Sequence, residues 1–181
     1  CLKLMDVDPI RCRLELTSQG KILKDIINEL RNMIYNLRPM SFDDIGFNIT
    51  VERALDKLRN SNNIRCNFKT SGDEYMVDSL VSLTLLRVIQ EACSNSIKHG
   101  HAKEINVSLK YEPKSLTLTI KDDGDGFDTS AIPEFTRDDN SGFGLSMMKE
   151  RIYLLSGKIS ISSRPGDGCI VKVIIPVNKE D

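Results

Sequence analysis

Between residues 104 and 122 apolar and polar residues alternate twice in succession: Ile105, Val107 and Leu109, then Leu116, Leu118 and Ile120. Alternation with period two puts one set of side chains on each face of a strand. Two such runs joined by a short link make neighbouring strands with a common apolar face to cover. The preceding segment, roughly Ser79 to Lys98, supplies a cover. Leu83, Leu86, Val88, Ile89, Ala92, Cys93 and Ile97 line a helical stripe there, and Gly100 is a stop signal.

The rest of the chain repeats this mixture. A helix is predicted from about Asn48 to Asn60, broken by Ser61-Asn62-Asn63, and a strand carries Ile64, Cys66 and Phe68. A polar stretch without periodicity occupies residues 127 to 141, and a short helix follows from about Leu145 to Ser156. A last hairpin has strands near 158–164 and 169–176, joined by Arg164-Pro165-Gly166-Asp167-Gly168. Helices mixed with hairpin-linked strands argue an α+β fold, a two-layer α/β sandwich with helices on one face of a mixed sheet.

Residues 14 to 38 are different. Ile22, Ile26, Ile27, Leu30, Met33, Ile34 and Leu37 form a stripe at three-four spacing, and Pro39 sets the helix end near Arg38. Cys1 to Asp6 reads as the end of a preceding helix. A hairpin this small cannot bury its own stripe. It predicts a partner helix, from a second copy of the chain, with packing onto the following domain as the competing reading. The domain reading is therefore 1–40 and 41–181, with Ser41 to Gly46 as a hinge.

Composition bounds the function. A length of 181 residues holds one full domain and a smaller piece. The net charge of -1 carries no footprint for nucleic acid. No apolar run approaches the ~18–20 residues that span a bilayer, and no signal-peptide pattern is present. The chain opens on Cys1 inside an apolar segment, so more sequence is expected upstream. Five cysteines without a CxxC pair, and only two histidines, argue against a zinc site or a disulfide framework. Reduced, buried thiols in a cytoplasmic protein are the expectation.

Three motifs carry chemistry. Glu91 and Asn95 are four residues apart on one helix face, flanked by Ile89, Ala92 and Cys93. A carboxylate and an amide in such surroundings are costly unless paired or ligated. Magnesium takes oxygen ligands while bridging phosphates, which suits an Asn carbonyl, and Lys98 lies one turn further on. An exposed polar edge is the competing reading. Next, Asp122-Asp123-Gly124-Asp125-Gly126 closes a strand, and its glycines let the backbone approach a ligand. Asp123 is read as a buried carboxylate accepting from an adenine amino group, with Asp122 and Asp125 solvated; a plain Asp-Gly turn competes. Last, Gly142-Phe143-Gly144 opens a helix whose free N–H groups and dipole suit phosphate. It follows the polar stretch, which reads as a lid. No GxxxxGK[ST] or kinase HRD and DFG set occurs. His99 and His101 read as loop or capping residues.

Together these residues resemble the C-terminal core of two-component sensor histidine kinases. Their ATP-binding part has the Bergerat fold shared with gyrase and MutL. Gln90-Glu91-Ala92-Cys93-Ser94-Asn95-Ser96-Ile97-Lys98-His99 resembles that family's asparagine box, Asp123-Gly124-Asp125-Gly126-Phe127 its first glycine box, and Gly142-Phe143-Gly144-Leu145 its second. Asn36-Leu37-Arg38-Pro39-Met40 and Asp43-Asp44-Ile45-Gly46 resemble the junction of the subclass of nitrate sensors and DesK.

The resemblance implies ATP and Mg2+ as cofactors, with Asn95 on the metal and Asp123 on adenine. Gly124, Gly126, Gly142 and Gly144 would shape the pocket and lid, with Glu91 near the γ-phosphate as the catalytic group. Lys98, one turn past Asn95 and so able to meet the phosphates, and Leu145, next to Gly144, complete the expected nucleotide-binding set. It implies a homodimer through the hairpin of residues 1–40, a response regulator as partner, and a membrane contact only through upstream segments. The family's acceptor histidine, in a His-Asp or His-Glu pair, does not occur in this chain and is expected upstream. Gly168-Cys169 stands where the family usually has Gly-Thr, and Leu155-Ser156-Gly157 where Leu-Gly-Gly is usual. A serine kinase of the anti-sigma type and a non-catalytic nucleotide-sensing scaffold are the alternatives.

Overall fold

The structure, a computed structural model, describes residues 46–129 and 143–177. The chain divides into two units, Cys1–Met40 and Ser41–Asp181, and every described residue belongs to the second. The expected helical hairpin of residues 1–40, residues 41–45 of the expected hinge, residues 130–141 of the expected lid, Gly142 and residues 178–181 lie outside the described residues.

The first helix, α1 (Phe47–Asn62), buries Phe47, Val51 and Leu55 at four-residue spacing. It outlasts the predicted break by two residues and stops at Asn63, whose φ of 50° is left-handed, a conformation that asparagine tolerates. Arg59 ties its last turn down, bonding Glu52 and Asp56 and donating from Nε to the Cys66 carbonyl at 2.8 Å. After β1 (Arg65–Ser71) comes α2 (Ser79–Lys98), with the predicted ends. Asp78 caps it, accepting from the N–H groups of Leu80 at 2.8 Å and Val81 at 3.2 Å.

β2 (Glu104–Glu112) and β3 (Ser115–Asp122) form the hairpin read from the alternation. α3 (Phe143–Leu154) then leads to β4 (Lys158–Ser163) and β5 (Cys169–Pro176). The sheet order is β1-β2-β3-β5-β4. Only β1 and β2 run parallel, because α2 carries the chain back between them. All other pairs are antiparallel.

One face of this sheet is apolar. Cys66, Ile105, Val107, Leu109, Leu116, Leu118, Ile120, Val171, Val173 and Ile175 are buried there. α2 covers the centre with Leu85, Leu86, Val88, Ile89, Ala92 and Cys93, α1 packs beside β1, and α3 packs against α2 and β4 through Met148 and Ile152. The other face is predominantly polar. The architecture is the α+β two-layer sandwich expected from the sequence.

α2 stops at Lys98, with Gly100 just past its end, as expected. His101, not Gly100, takes the positive φ, at 50°. Gly100 is needed for space: its own Cβ would stand 2.9 Å from the Ser96 carbonyl oxygen, and a Cβ on Gly124 would overlap the Gly100 carbonyl.

Candidate nucleotide-binding site

The C-terminal half of α2, the end of β3, the β4–β5 turn and the start of α3 meet at one end of the sheet. Asp122 sits at their junction. Strand parity puts it on the same face as Leu116, Leu118 and Ile120, and it is 6% exposed. Its carboxylate is held from three sides. Oδ2 accepts from Ser96 Oγ at 2.6 Å, and Oδ1 accepts from the N–H groups of Gly124 at 2.9 Å and Cys169 at 3.1 Å. Ionised acceptors make the stronger hydrogen bonds, so this cluster holds the loop after β3 to α2 and β5.

This corrects the reading of the two aspartates. Asp122 is buried rather than solvated, and Asp123, expected to be the buried one, is exposed. Asp123 Oδ1 accepts from the N–H groups of Lys103 and Glu104, both at 2.8 Å, across the start of β2. The Glu104 N–H, opposed by some desolvation and helped by the Lys103 N–H, holds this carboxyl below the usual carboxylate range. The alternation itself carried the signal: residues 116, 118 and 120 point inward, so 122 follows and 123 does not.

Beyond Asp122 the loop is clamped through its backbone. Asp125 N donates to the Gly100 carbonyl at 2.7 Å, Gly166 N donates to the Asp125 carbonyl at 2.6 Å, and Phe127 N donates to Ser163 Oγ at 2.9 Å. Gly126 has φ 64°, and a Cβ there would overlap the Arg164 carbonyl oxygen, so both conformation and space require glycine. Asp125 is exposed, with Oδ2 2.7 Å from His101 Nδ1. His101 is a loop residue, as read from sequence.

Glu91 and Asn95 are both half-buried on one face of α2, as their spacing predicts. Asn95 Nδ2 lies 3.4 Å from Glu91 Oε1. A Cβ on Gly144 would overlap Glu91 Oε1. The glycine at the start of α3 therefore lets that helix approach the Glu91 carboxylate. Leu145, half-buried, packs against the core beside it. Lys98 is exposed in the last turn of α2. The structure thus brings together Glu91, Asn95, Gly144 and Leu145, and brings together Gly124, Gly126 and Asp122. Ser96 belongs to the site and escaped the sequence reading. Its signal was position: it continues the buried stripe of Ile89, Ala92 and Cys93.

Two thiols border the site. Burial, with small contributions from Cys66 and Asp122, pushes Cys93 up to about 12, and burial with nearby Asp122 pushes Cys169 up to about 11. Neither is a ready thiolate, which is the form that acts as nucleophile or metal ligand. Among the described residues no group of three or more His, Cys, Asp or Glu could hold a metal ion. Among them, too, no helix is long and apolar enough to cross a membrane.

Known proteins are similar to this chain in sequence and fold. The family of histidine kinase-, DNA gyrase B-, and HSP90-like ATPases matches residues 81–179. The chain is 32% identical over 167 residues to the signal transduction histidine-protein kinase/phosphatase DegS of Brevibacillus brevis, over 92% of this chain and 42% of that protein. It is 33% identical over 178 residues to an uncharacterized sensor-like histidine kinase of Chloroflexus aurantiacus, over 97% of this chain and 30% of that protein. The chain thus spans less than half the length of these curated relatives. Among solved structures, the Acinetobacter baumannii histidine kinase AdeS aligns with a TM-score of 0.59 at 20% identity, over 91% of this chain and 83% of that one. The catalytic domain of histidine kinase ThkA aligns with a TM-score of 0.57 at 18% identity, over 72% of this chain and 89% of that one. Such identities speak to the fold, while the family match spans α2, the glycine loops and the last hairpin. The chain belongs to the histidine kinase-, DNA gyrase B-, and HSP90-like ATPase family and carries the ATP-binding catalytic domain of a sensor histidine kinase.

Proposed function

We propose that this domain binds ATP as its magnesium complex, with the adenine amino group on Asp122 and the phosphates between Asn95 and the start of α3. In the intact protein a histidine outside this chain would attack the γ-phosphorus. An N–P bond forms as the bond from phosphorus to the ADP oxygen breaks. The phosphoryl group then passes to an aspartate of a response regulator.

The observation that carries this reading is Asp122. Oδ1 is occupied by two backbone N–H groups, and Oδ2 by a single hydroxyl. A carboxylate offers about four acceptor positions, so an acceptor direction remains for an exocyclic amino group. The role first assigned to Asp123 moves one residue back, because the Asp123 carboxylate is engaged at the surface.

The donor set fits magnesium in the way expected of a phosphate-bridging site. With its amide nitrogen towards Glu91, Asn95 keeps its carbonyl oxygen as a hard ligand, and nucleotide phosphates and water would supply the others. Bound there, the ion would neutralise phosphate charge, which with positioning is the main need of phosphoryl transfer. Glu91, held between Asn95 and Gly144, would orient the incoming histidine. Gly124 and Gly126 shape the floor of the pocket, and Gly142 and Lys98 are proposed to face the phosphates. Residues 1–40 would pair with those of a second copy. The cytoplasm is the proposed location of this domain.

The test uses the intact protein and ATP labelled on its γ-phosphate. An acid-labile, base-stable protein label, lost when the upstream histidine is replaced, is the expected result. An acid-stable label would move the acceptor to serine or threonine. Tight ATP binding without label would leave a nucleotide-sensing scaffold.

A further inference from the structure

Ser96 is a polar residue inside an apolar stripe, 7% exposed. Its hydroxyl has one proton and two acceptors in reach: the Ala92 carbonyl at 3.0 Å, one turn back, and Asp122 Oδ2 at 2.6 Å. The shorter contact is to the carboxylate, the stronger acceptor, so the proton goes there. A helical serine ordinarily needs only its i−4 carbonyl to be satisfied. The second contact does something for Asp122 instead.

Oδ1 and Oδ2 of that carboxylate are not equivalent. Two backbone donors fix Oδ1 wherever the loop is folded. Oδ2 has Ser96 alone among the described residues. A hydroxyl donating to one lone pair of Oδ2 holds that oxygen in place and fixes the direction of the acceptor position that remains. An acceptor held in that direction takes a hydrogen bond from a 6-amino group and repels a 6-oxo group. Without the hydroxyl, that direction is no longer fixed and the discrimination weakens. The neighbouring position 169, which also touches this carboxylate, contributes only its backbone N–H, since its side chain is a thiol.

We propose that Ser96 is a specificity-determining positioning residue, which holds Asp122 Oδ2 as an acceptor and so makes the pocket select 6-amino over 6-oxo purine nucleotides. This rests on the nucleotide reading of Asp122 above. It goes further in assigning the discrimination to a hydroxyl on α2.

The experiment titrates the 181-residue chain with Mg-ATP and Mg-ITP, which differ at the purine 6-position, and follows thermal unfolding in parallel. The wild type is expected to prefer ATP. In Ser96→Ala the ATP-to-ITP preference should fall about tenfold, as loss of a charge-assisted hydrogen bond implies. Ser96→Thr, which keeps the hydroxyl, should hold the preference within about threefold of wild type. Should Ser96→Ala fail to fold, Ser96→Cys, a weaker donor of similar size, is read by the same ratio and should also lose preference. An unchanged ratio in the hydroxyl-deficient variant overturns the proposal, even if both affinities drop together. Asp122→Asn separates the two layers of inference. If it binds ATP as wild type does, the nucleotide reading of Asp122 fails. If it loses ATP while Ser96→Ala keeps its preference, only the role of Ser96 fails.

Discussion

Replacing Asp122 by alanine and by asparagine separates the folding role of this residue from its binding role. Alanine removes every acceptor. The N–H of Gly124, which is buried, and that of Cys169, which is half-buried, lose their partner. Each unsatisfied buried donor costs about 1–3 kcal/mol. The Ser96 hydroxyl can turn to the Ala92 carbonyl at 3.0 Å, so its loss adds little. The sum is about 2–6 kcal/mol, a large part of the ~5–15 kcal/mol that holds a domain together. At roughly 3 °C per kcal/mol, the melting temperature should fall by about 6–18 °C. Asparagine behaves differently. Its Oδ1 still accepts from Gly124 and Cys169, and its Nδ2 can donate to Ser96 Oγ while Ser96 donates to Ala92. Only the charge assistance is lost, about 1–2 kcal/mol. Under the proposed nucleotide reading the atom offered to the base is now a donor, so ATP affinity should drop at least tenfold, or about 1.4 kcal/mol or more. Calorimetric melting and nucleotide titration of both variants are the assays. An alanine variant that melts with wild type would refute the structural argument. An asparagine variant that is as unstable as the alanine one would refute the bond-by-bond reasoning.

Two further outcomes follow from the geometry. Gly144→Ala places a methyl group on the position of Glu91 Oε1, so α3 or Glu91 must shift; Mg-ATP affinity should fall severalfold in a titration while Glu91→Ala in the same chain restores part of it. Asp123 has its folded-state carboxyl depressed by backbone N–H groups, led by that of Glu104. Its stabilisation is therefore present above the unfolded value of about 3.9 and is lost as pH falls through the folded value. Urea unfolding should show wild type ahead of Asp123→Asn at pH 6, with the gap closing below about pH 4; a gap that widens on acidification contradicts the sign.

Much of the fold was readable because its periods are strict. The alternation of Ile105, Val107 and Leu109 with Leu116, Leu118 and Ile120 specified a hairpin and its inner face. The stripe through Leu86, Ile89 and Cys93 specified the covering helix, whose ends at Ser79 and Lys98 match the expectation. The motif order was legible for a similar reason: Glu91 and Asn95 are one turn apart, and local geometry alone brings them together. The failures are as specific. The glycine motif by itself does not say which of Asp122 and Asp123 is buried; the pleat of β3 assigns the inward position to Asp122. Gly100 marks the end of α2 as expected, but sequence alone does not show that the left-handed residue there is His101.

Local periodicity therefore determined which segments became helix and strand, and which of their faces turned inward. It could not decide what meets at the end of the sheet. Ser96 lies on α2, Asp122 on β3 and Cys169 on β5, far apart in sequence, and none announces its partners. Their meeting follows from the sheet order β1-β2-β3-β5-β4 and the packing of α2 across it. A hydrogen bond acts over less than about 3.5 Å, so the acceptor left open on Asp122 exists only once that packing is complete.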